Sequence, residues 1–333
     1  MKASKFLGNE KLQLIDIPKP KAKNNTVVIK VRASGICATD LELLYRSDQE
    51  PLSIPGHEVA GDVVEIDKTK KVKIGERVIV NCHITCRKCD NCSIGDLIFC
   101  KDLKVVGFDV NGGNAEYILV PDSCCQQLPD DISYEKGVLL SDVLGTSYHA
   151  IKRSELKIGE LIGIFGLGPM GLCAVLASLS KGGKVVAIDF NNYRLNFAKR
   201  LGATHLIDLK TQNLEDEVLK LTKGKGFDKV IECSGKEKAI NQALNLIKNR
   251  GRIVLVGVCR EAKIKPNDQI INKETEIFGS RNFNAFEYNE LIEFIRANPI
   301  LEGIVTHRFN LEEAQVAIDT MVNGKCGKVI FSP

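Results

Sequence analysis

With 333 residues, 44% of them hydrophobic and 26% charged, the chain has the composition of a soluble globular protein and is too long for one ordinary core. Its net charge of +4 is slight for that length and argues against a nucleic-acid or membrane-surface partner. The opening MKASKFLGNEKLQLID lacks the continuous apolar segment of a signal peptide, so a cytoplasmic protein with reduced thiols is expected, although it carries twelve cysteines.

The first part of the chain reads as β-rich. VVIKVRASGI (27–36), EVAGDVVEI (58–66), GERVIVNC (75–82) and AEYILVP (115–121) are short β-branched runs divided by Gly, Pro and Lys turns. The lysine-rich KTKKVK (68–73) reads as a solvated turn. Near residue 135 the texture changes to alternating strands and helices. ELIGIFG, a helix over 169–181, KVVAIDF, the helical NNYRLNFAKRLGA and ATHLIDL come first. A helix over 213–223, FDKVIECSG, a helix over 237–248 and GRIVLVGV follow. Such alternation predicts a parallel, doubly wound sheet, and hence an α/β protein. The uncharged stretch 161–180 is broken by five glycines or prolines and reads as strand, turn and helix rather than a membrane span. From about 275 the order of this alternation weakens, and the terminal GKVIFSP reads as one more strand, which is expected to return to the first domain. The expected domains are 1–138 plus 275–333, and 139–274 inserted between them.

Gly166, Gly168 and Gly171 spell G-x-G-x-x-G directly after the apolar LIGIF and at the start of a helix, with Asp189 ending the next strand 23 residues beyond Gly166. Gly166 permits a tight turn, Gly168 lets backbone approach a pyrophosphate, and Gly171 lets helix and strand pack closely. The amides at the helix start then favour the diphosphate. A carboxylate at Asp189 can accept hydrogen bonds from ribose hydroxyls and repels a 2′-phosphate, which predicts NAD over NADP. Arg194 is expected along the adenosine rim. Thr146, Leu167, Pro169 and Met170 complete the expected cofactor-binding set.

TCRKCDNCSIGDLIFC (85–100) places Cys86, Cys89, Cys92 and Cys100 three, three and eight residues apart. Four thiolates of one short segment can wrap a metal tetrahedrally, and zinc is the usual occupant in a reducing compartment. The ferredoxin pattern is not matched, because the last gap is seven residues and Lys101 follows in place of proline. Four protein ligands leave no open position, so this lobe (82–104) is expected to be structural. A catalytic ion needs other donors. GICATD (35–40) supplies Cys37, Thr39 and Asp40, PGHEVAG (55–61) supplies His57 and Glu58, and LSDVLGTSYHA (140–150) supplies Asp142. Taken singly, these are also ordinary: a buried thiol, a core histidine, a surface acid. As a set they suit a zinc site with one place left for water or substrate.

Together these stretches resemble the zinc-dependent medium-chain alcohol dehydrogenase family over almost the whole chain. GICATD, PGHEVAG, GERV, the cysteine lobe, GGNAEY, GLGPMG, the acidic end of AIDF, ECSG and GKVI stand in the family's order. The resemblance implies a GroES-like β-rich catalytic domain interrupted by a Rossmann domain, with the active site in the cleft between them. It matches Cys37 and His57 to the first two catalytic zinc ligands, and Glu58 to a carboxylate beside the metal that can exchange with its water. Asp142 falls where many members carry a third-ligand cysteine and others a glutamate, which makes the site harder and less thiolate-rich. Asp40 matches the acid that orients the histidine ligand, and Thr39 the hydroxyl that passes the substrate proton towards the cofactor ribose. Glu42 stands where many relatives end that relay in a histidine, so that either Glu42 or water takes the proton.

The implied activity is reversible hydride transfer between an alcohol and NAD, with two zinc ions per chain, one catalytic and one structural. The implied assembly is a homodimer or homotetramer, with GRIVLVGV near the pairing edge. Two rivals are a zinc-free NADPH-dependent quinone or alkene reductase of the same superfamily and a non-catalytic dinucleotide-binding protein. Cys37, His57 and Asp189 speak against the first, and the intact set Cys37, Thr39, His57, Glu58 and Asp142 against the second. Pocket residues are expected in YRSDQEPLSIP (45–55), SYHA (147–150) and RNFNAF (281–286), whose Tyr45, Arg46 and Arg281 favour a polar secondary alcohol. Polyols, amino-sugar or cyclitol derivatives, hydroxy amino acids such as threonine, and simple secondary alcohols stay open.

Overall fold

The computed structural model describes residues 1–8, 11–44 and 54–333, without the side chains of residues 7, 8, 11 and 42–44. The opening residues form an antiparallel hairpin of β1 (Lys2–Gly8) and β2 (Lys11–Asp16). Then come β3 (Thr26–Gly35), α1 (Ala38–Leu44), β4 (Glu58–Ile66) and β5 (Arg77–Val80). The cysteine lobe carries β6 (His83–Ile84), α2 (Asp90–Ser93) and β7 (Lys104–Val105). β8 (Tyr117–Pro121), β9 (Cys125–Gln127) and α3 (Tyr134–Leu139) follow, and a π-helical turn, Leu140–Leu144, carries Asp142.

Strand β3 is the axis of this unit. It pairs antiparallel with β4 along one edge, and with β8 and the C-terminal β17 (Lys328–Phe331) along the other. Flanked on both edges, it reads as the near-continuous apolar run expected of a central strand, and Val27, Val28 and Ile29 are fully buried. Each such side chain contributes about 1.5–3 kcal/mol on leaving water.

The second unit opens with α4 (Gly145–Ser154) and alternates strictly: β10 (Leu161–Phe165), α5 (Pro169–Ser180), β11 (Lys184–Asp189), α6 (Asn192–Leu201), β12 (His205–Asp208), α7 (Leu214–Thr222), β13 (Phe227–Glu232), α8 (Glu237–Leu246) and β14 (Ile247–Leu255). A last strand, β15 (Glu276–Gly279), completes an all-parallel sheet in the order β12-β11-β10-β13-β14-β15. The strand order reverses between β10 and β13, the switch point at which doubly wound sheets bind ligands. Asn191 and Asn213 cap α6 and α7 with their side chains. Helix α5 is buried along residues 171–178, which is why its sequence is apolar on every face. Strand β10 and helix α5 thus divide the uncharged stretch 161–180, and among the described residues no helix is long and apolar enough to cross a membrane.

Compact units of 1–142 with 284–333, and of 143–283, set the boundaries differently from the expected ones. β15 pairs with β14 and draws residues 276–279 into the second unit, while Asp142 falls in the first. Strand β14, expected near the pairing edge, lies between β13 and β15; the sheet edges are β12 and β15. The weak order expected after 275 is also corrected. The chain forms α9 (Tyr288–Ala297), β16 (Val305–Phe309), α10 (Ala314–Val322) and β17 (Lys328–Phe331) there. Both helices follow capping boxes, Asn284 with Glu287 and Asn310 with Glu313.

The glycine turn sets the tolerance of the second unit. A Cβ on Gly171 would overlap the Gly166 carbonyl oxygen. Gly171→Ala is therefore expected to destabilise the protein by about 1–3 kcal/mol through overpacking, read as a lowered midpoint in thermal unfolding.

Candidate metal centre and dinucleotide site

Cys37 stands between β3 and α1, where its backbone N–H donates to Asp40 Oδ2 at 2.8 Å. This is the N3 half of a capping box, an acid reaching back to the amide before the helix, and it fixes Cys37 against the first turn. The other oxygen of Asp40 lies 3.2 Å from His57 Nδ1. Asp40 is fully buried, so its charge and its two acceptors are committed to the two neighbouring donor residues. Gly56, at φ +99°, makes the turn that delivers His57 to the start of β4. With Nδ1 held by Asp40, Nε2 faces Asp142 Oδ2 at 3.5 Å, and Cys37 Sγ lies 3.7 Å from that same oxygen.

Cys37, His57, Glu58 and Asp142 each offer a ligand atom within 4.8 Å of one another. Sequence reading named all four, and the structure brings all four together. Burial opposes a charged imidazole at His57, yet the Asp40 carboxylate and the bonds from Asp142 and Asp40 raise it well above the usual histidine value. The surroundings thus favour positive charge where Nε2 and the Asp142 carboxylate meet. Glu58 supplies a second sign: its Oε2 is buried and has no hydrogen-bond partner. Burial pushes its carboxyl up to about 7, against the pull of Lys328 and with the repulsion of Asp142 added. One soft thiolate, one imidazole and hard carboxylates fit a divalent zinc ion, and the thiolate and one carboxylate would match its charge.

Lys328 is the residue that sequence reading missed. It was read only as part of a terminal strand, yet it is 1% exposed and forms an ion pair with Glu58, which is 0% exposed. A lysine at the head of β17, directly before the apolar Val329–Phe331, was the available signal. Thr39 is half-buried in the first turn of α1, whereas the side chain of Glu42 lies outside the described residues, as do Tyr45 and Arg46.

Cys86, Cys89, Cys92 and Cys100 form a second group with sulfurs within 4.8 Å of one another. The amides of Lys101 and Cys92 reach Cys89 and lower its thiol to about 6, and the Cys86 amide donates to Cys100 Sγ at 3.2 Å and lowers that thiol also. Backbone donors aimed at sulfur stabilise thiolates, the form in which cysteine binds metal.

In the second unit, Gly166 takes φ +84° and packs against Ser234, so that the turns after β10 and β13 touch at the switch point. A Cβ on Gly168 would meet nothing within 4 Å, which leaves open space at the N-terminus of α5. Asp189, 3% exposed, accepts from the amides of Leu167 at 2.7 Å, Phe190 at 2.7 Å and Asn191 at 2.9 Å. Its first task is to tie the glycine turn to the end of β11; about one of a carboxylate's four acceptor positions remains for a ribose hydroxyl. Arg194 keeps a buried Nε without a partner. Pro169 and Met170 begin α5, and the Met170 carbonyl accepts from Ser147 at 2.7 Å. Ser147, expected to line a substrate pocket, instead ties α4 to α5, and Thr146 beside it is buried. Phe283 is likewise buried, against Gly145.

Residues 23–130 match the alcohol dehydrogenase GroES-like domain and residues 169–297 the zinc-binding dehydrogenase domain. L-threonine 3-dehydrogenase of Yersinia pestis is 34% identical over 341 residues, covering 100% of this chain and 99% of that protein. An alcohol dehydrogenase of Escherichia coli CFT073, solved with NADH, is similar with a TM-score of 0.91 and 25% identity over 100% of this chain and 99% of that one. A Sinorhizobium meliloti 1021 protein, described as a zinc-binding dehydrogenase and bound to NADP, gives a TM-score of 0.91 and 27% identity over the same shares. The chain belongs to the zinc-dependent medium-chain alcohol dehydrogenase family and is an oxidoreductase of alcohols.

Proposed function

We propose that the enzyme transfers hydride between NAD(H) and a polar secondary alcohol or its ketone, using a catalytic zinc ion at Cys37, His57 and Asp142 and a structural zinc ion at the four-cysteine lobe. The convergence of Cys37, His57, Glu58 and Asp142 within 4.8 Å carries this reading. The substrate class we favour is a β-hydroxy amino acid, in keeping with the threonine dehydrogenase relative at 34% identity. The reading includes a cytoplasmic homodimer or homotetramer, in keeping with twelve cysteines recorded as free thiols and with β15 as an edge strand among the described residues.

When bound, zinc supplies a Lewis acid that lowers the pKa of an alcohol, and NAD supplies the hydride acceptor. The chain supplies position and charge. The Asp40 carboxylate fixes the imidazole so that Nε2 is the free donor, and it holds the Cys37 backbone in the same act. The thiolate of Cys37 and the carboxylate of Asp142 together neutralise a dication, which suits a buried site. With cofactor bound, the hydroxyl of Thr39 would pass the substrate proton towards the cofactor ribose, and Glu42 or water would receive it. Asp189 fixes the turn that presents backbone amides to a pyrophosphate, and its remaining acceptor position favours a ribose hydroxyl over a 2′-phosphate.

Three outcomes test this reading. Cys37→Ala and His57→Ala are each expected to abolish turnover and lower metal content from two ions per chain to one, with NADH binding retained by fluorescence titration; undiminished activity would overturn the assignment. Thr39→Val should lower kcat by roughly 10²–10⁴-fold with both metal ions retained, the ordinary contribution of a positioned proton-transfer group. A panel of polar secondary alcohols assayed with each cofactor should give a kcat/KM at least about tenfold higher with NAD, a preference of roughly 1.4 kcal/mol; parity would remove the role given to Asp189.

A further inference from the structure

The contact between Lys328 and Glu58 is built by strand register. Gly35 of β3 pairs with Glu58 of β4 on one side and with Ile330 of β17 on the other. A Cβ on Gly35 would collide with Glu58 Oε2 and lie 2.8 Å from Lys328 Cε. The two charged side chains thus meet across the one position in β3 that has no side chain, two residues before Cys37. Lys328 Nζ donates to Glu58 Oε1. Because Oε2 has no partner, that ammonium is the only hydrogen-bond donor to the Glu58 carboxylate among the described residues. Burial opposes the Lys328 ammonium, and Glu58, with Cys37 and Asp142 of the proposed ligand set behind it, holds it above the ordinary lysine value.

We infer that Lys328 is a positioning residue that draws Glu58 back from the catalytic metal, so that its carboxylate can exchange with the metal's water without staying bound as a fourth protein ligand. The inference rests on the proposed zinc site. Cys37, His57 and Asp142 already match the charge of a dication and leave one coordination place for substrate. Glu58 is near enough to fill it, since its carboxylate lies within 4.8 Å of the other three donors. A fourth protein ligand would close the site and turn it into the structural type. A buried carboxylate needs a cation close by, and Lys328 meets that need. Without the ammonium, the nearest remaining positive charge is the metal.

The test uses holoenzyme with cobalt(II) in the Cys37 site, whose visible d–d absorption reports coordination. Lys328→Met should change the band pattern and lower turnover by roughly 10–100-fold, the usual effect of losing an outer partner of a metal site. Adding Glu58→Gln to that variant should restore the wild-type spectrum, and Lys328→Arg should keep it. Glu58→Gln alone, with Lys328 present, should leave the spectrum unmoved. A wild-type spectrum in Lys328→Met overturns the inference. So does a changed spectrum in Glu58→Gln alone, an arm that decides the matter even where Lys328→Met does not fold. If Cys37→Ala retains the cobalt signal, the zinc-site reading itself fails; if it loses the signal while Lys328→Met looks wild-type, only the role of Lys328 falls.

Discussion

Two carboxyl groups, Glu58 and Asp142, and the Cys37 thiol converge around His57 in a space where His57, Glu58 and Asp142 are each less than 9% exposed. Like charges about 4 Å apart repel by roughly 4 kcal/mol per pair near a protein surface, and more with burial. Such a cluster is relieved by protons, as the raised Glu58 carboxyl shows, or by positive charge placed inside it. Lys328 supplies one unit, at one end, for one carboxylate. The rest of the unit is shaped so that a second, stronger cation can be accepted between the thiol, the imidazole and Asp142.

Backbone pairing, more than side-chain packing, sets that geometry. The ladder between β3 and β4 ends with Gly35 opposite Glu58, so Cys37 and His57 leave adjacent strand ends with their spacing already fixed. Asp40 then ties the two residues with one carboxylate. Asp142 comes from a π-helical turn, a distortion of the helical ladder often found where a helix must aim a functional side chain. The second unit uses the same device: the Asp189 carboxylate ties the glycine turn to the end of β11. In both places a buried carboxylate gives its acceptors to backbone amides or a ring nitrogen, and so orders groups that act on a ligand.

What was legible in the sequence was local. The glycine turn, the four-cysteine lobe and the strand runs of β3, β4, β10 and β11 declare themselves within a few residues, because each answers to short-range geometry. Strand β15 did not, since its EIFG carries no buried residue and no apolar alternation. Helices α9 and α10 were missed although their Asn-x-x-Glu capping boxes stood in the sequence. The Lys328–Glu58 pair could not be read, for its partners are 270 residues apart and meet through a register between three strands. Asp189 was read for its ligand, and its hold on Leu167 was invisible because only the fold puts that amide within 2.7 Å.

The two cysteine-bearing groups show how one metal chemistry can serve opposite ends. In the lobe, four sulfurs share one short segment, and backbone amides point at two of them, so every donor is supplied from within and nothing is left over. Around His57, donors come from three segments, two of them are carboxylates, and one carboxylate oxygen has no hydrogen-bond partner among the described residues. A closed tetrathiolate can only staple the chain. An uneven set of donors, in which one acid is restrained by a lysine, leaves room for a ligand that the protein does not own. That difference in saturation, more than the identity of any single residue, is the ground on which one group is proposed as structural and the other as catalytic.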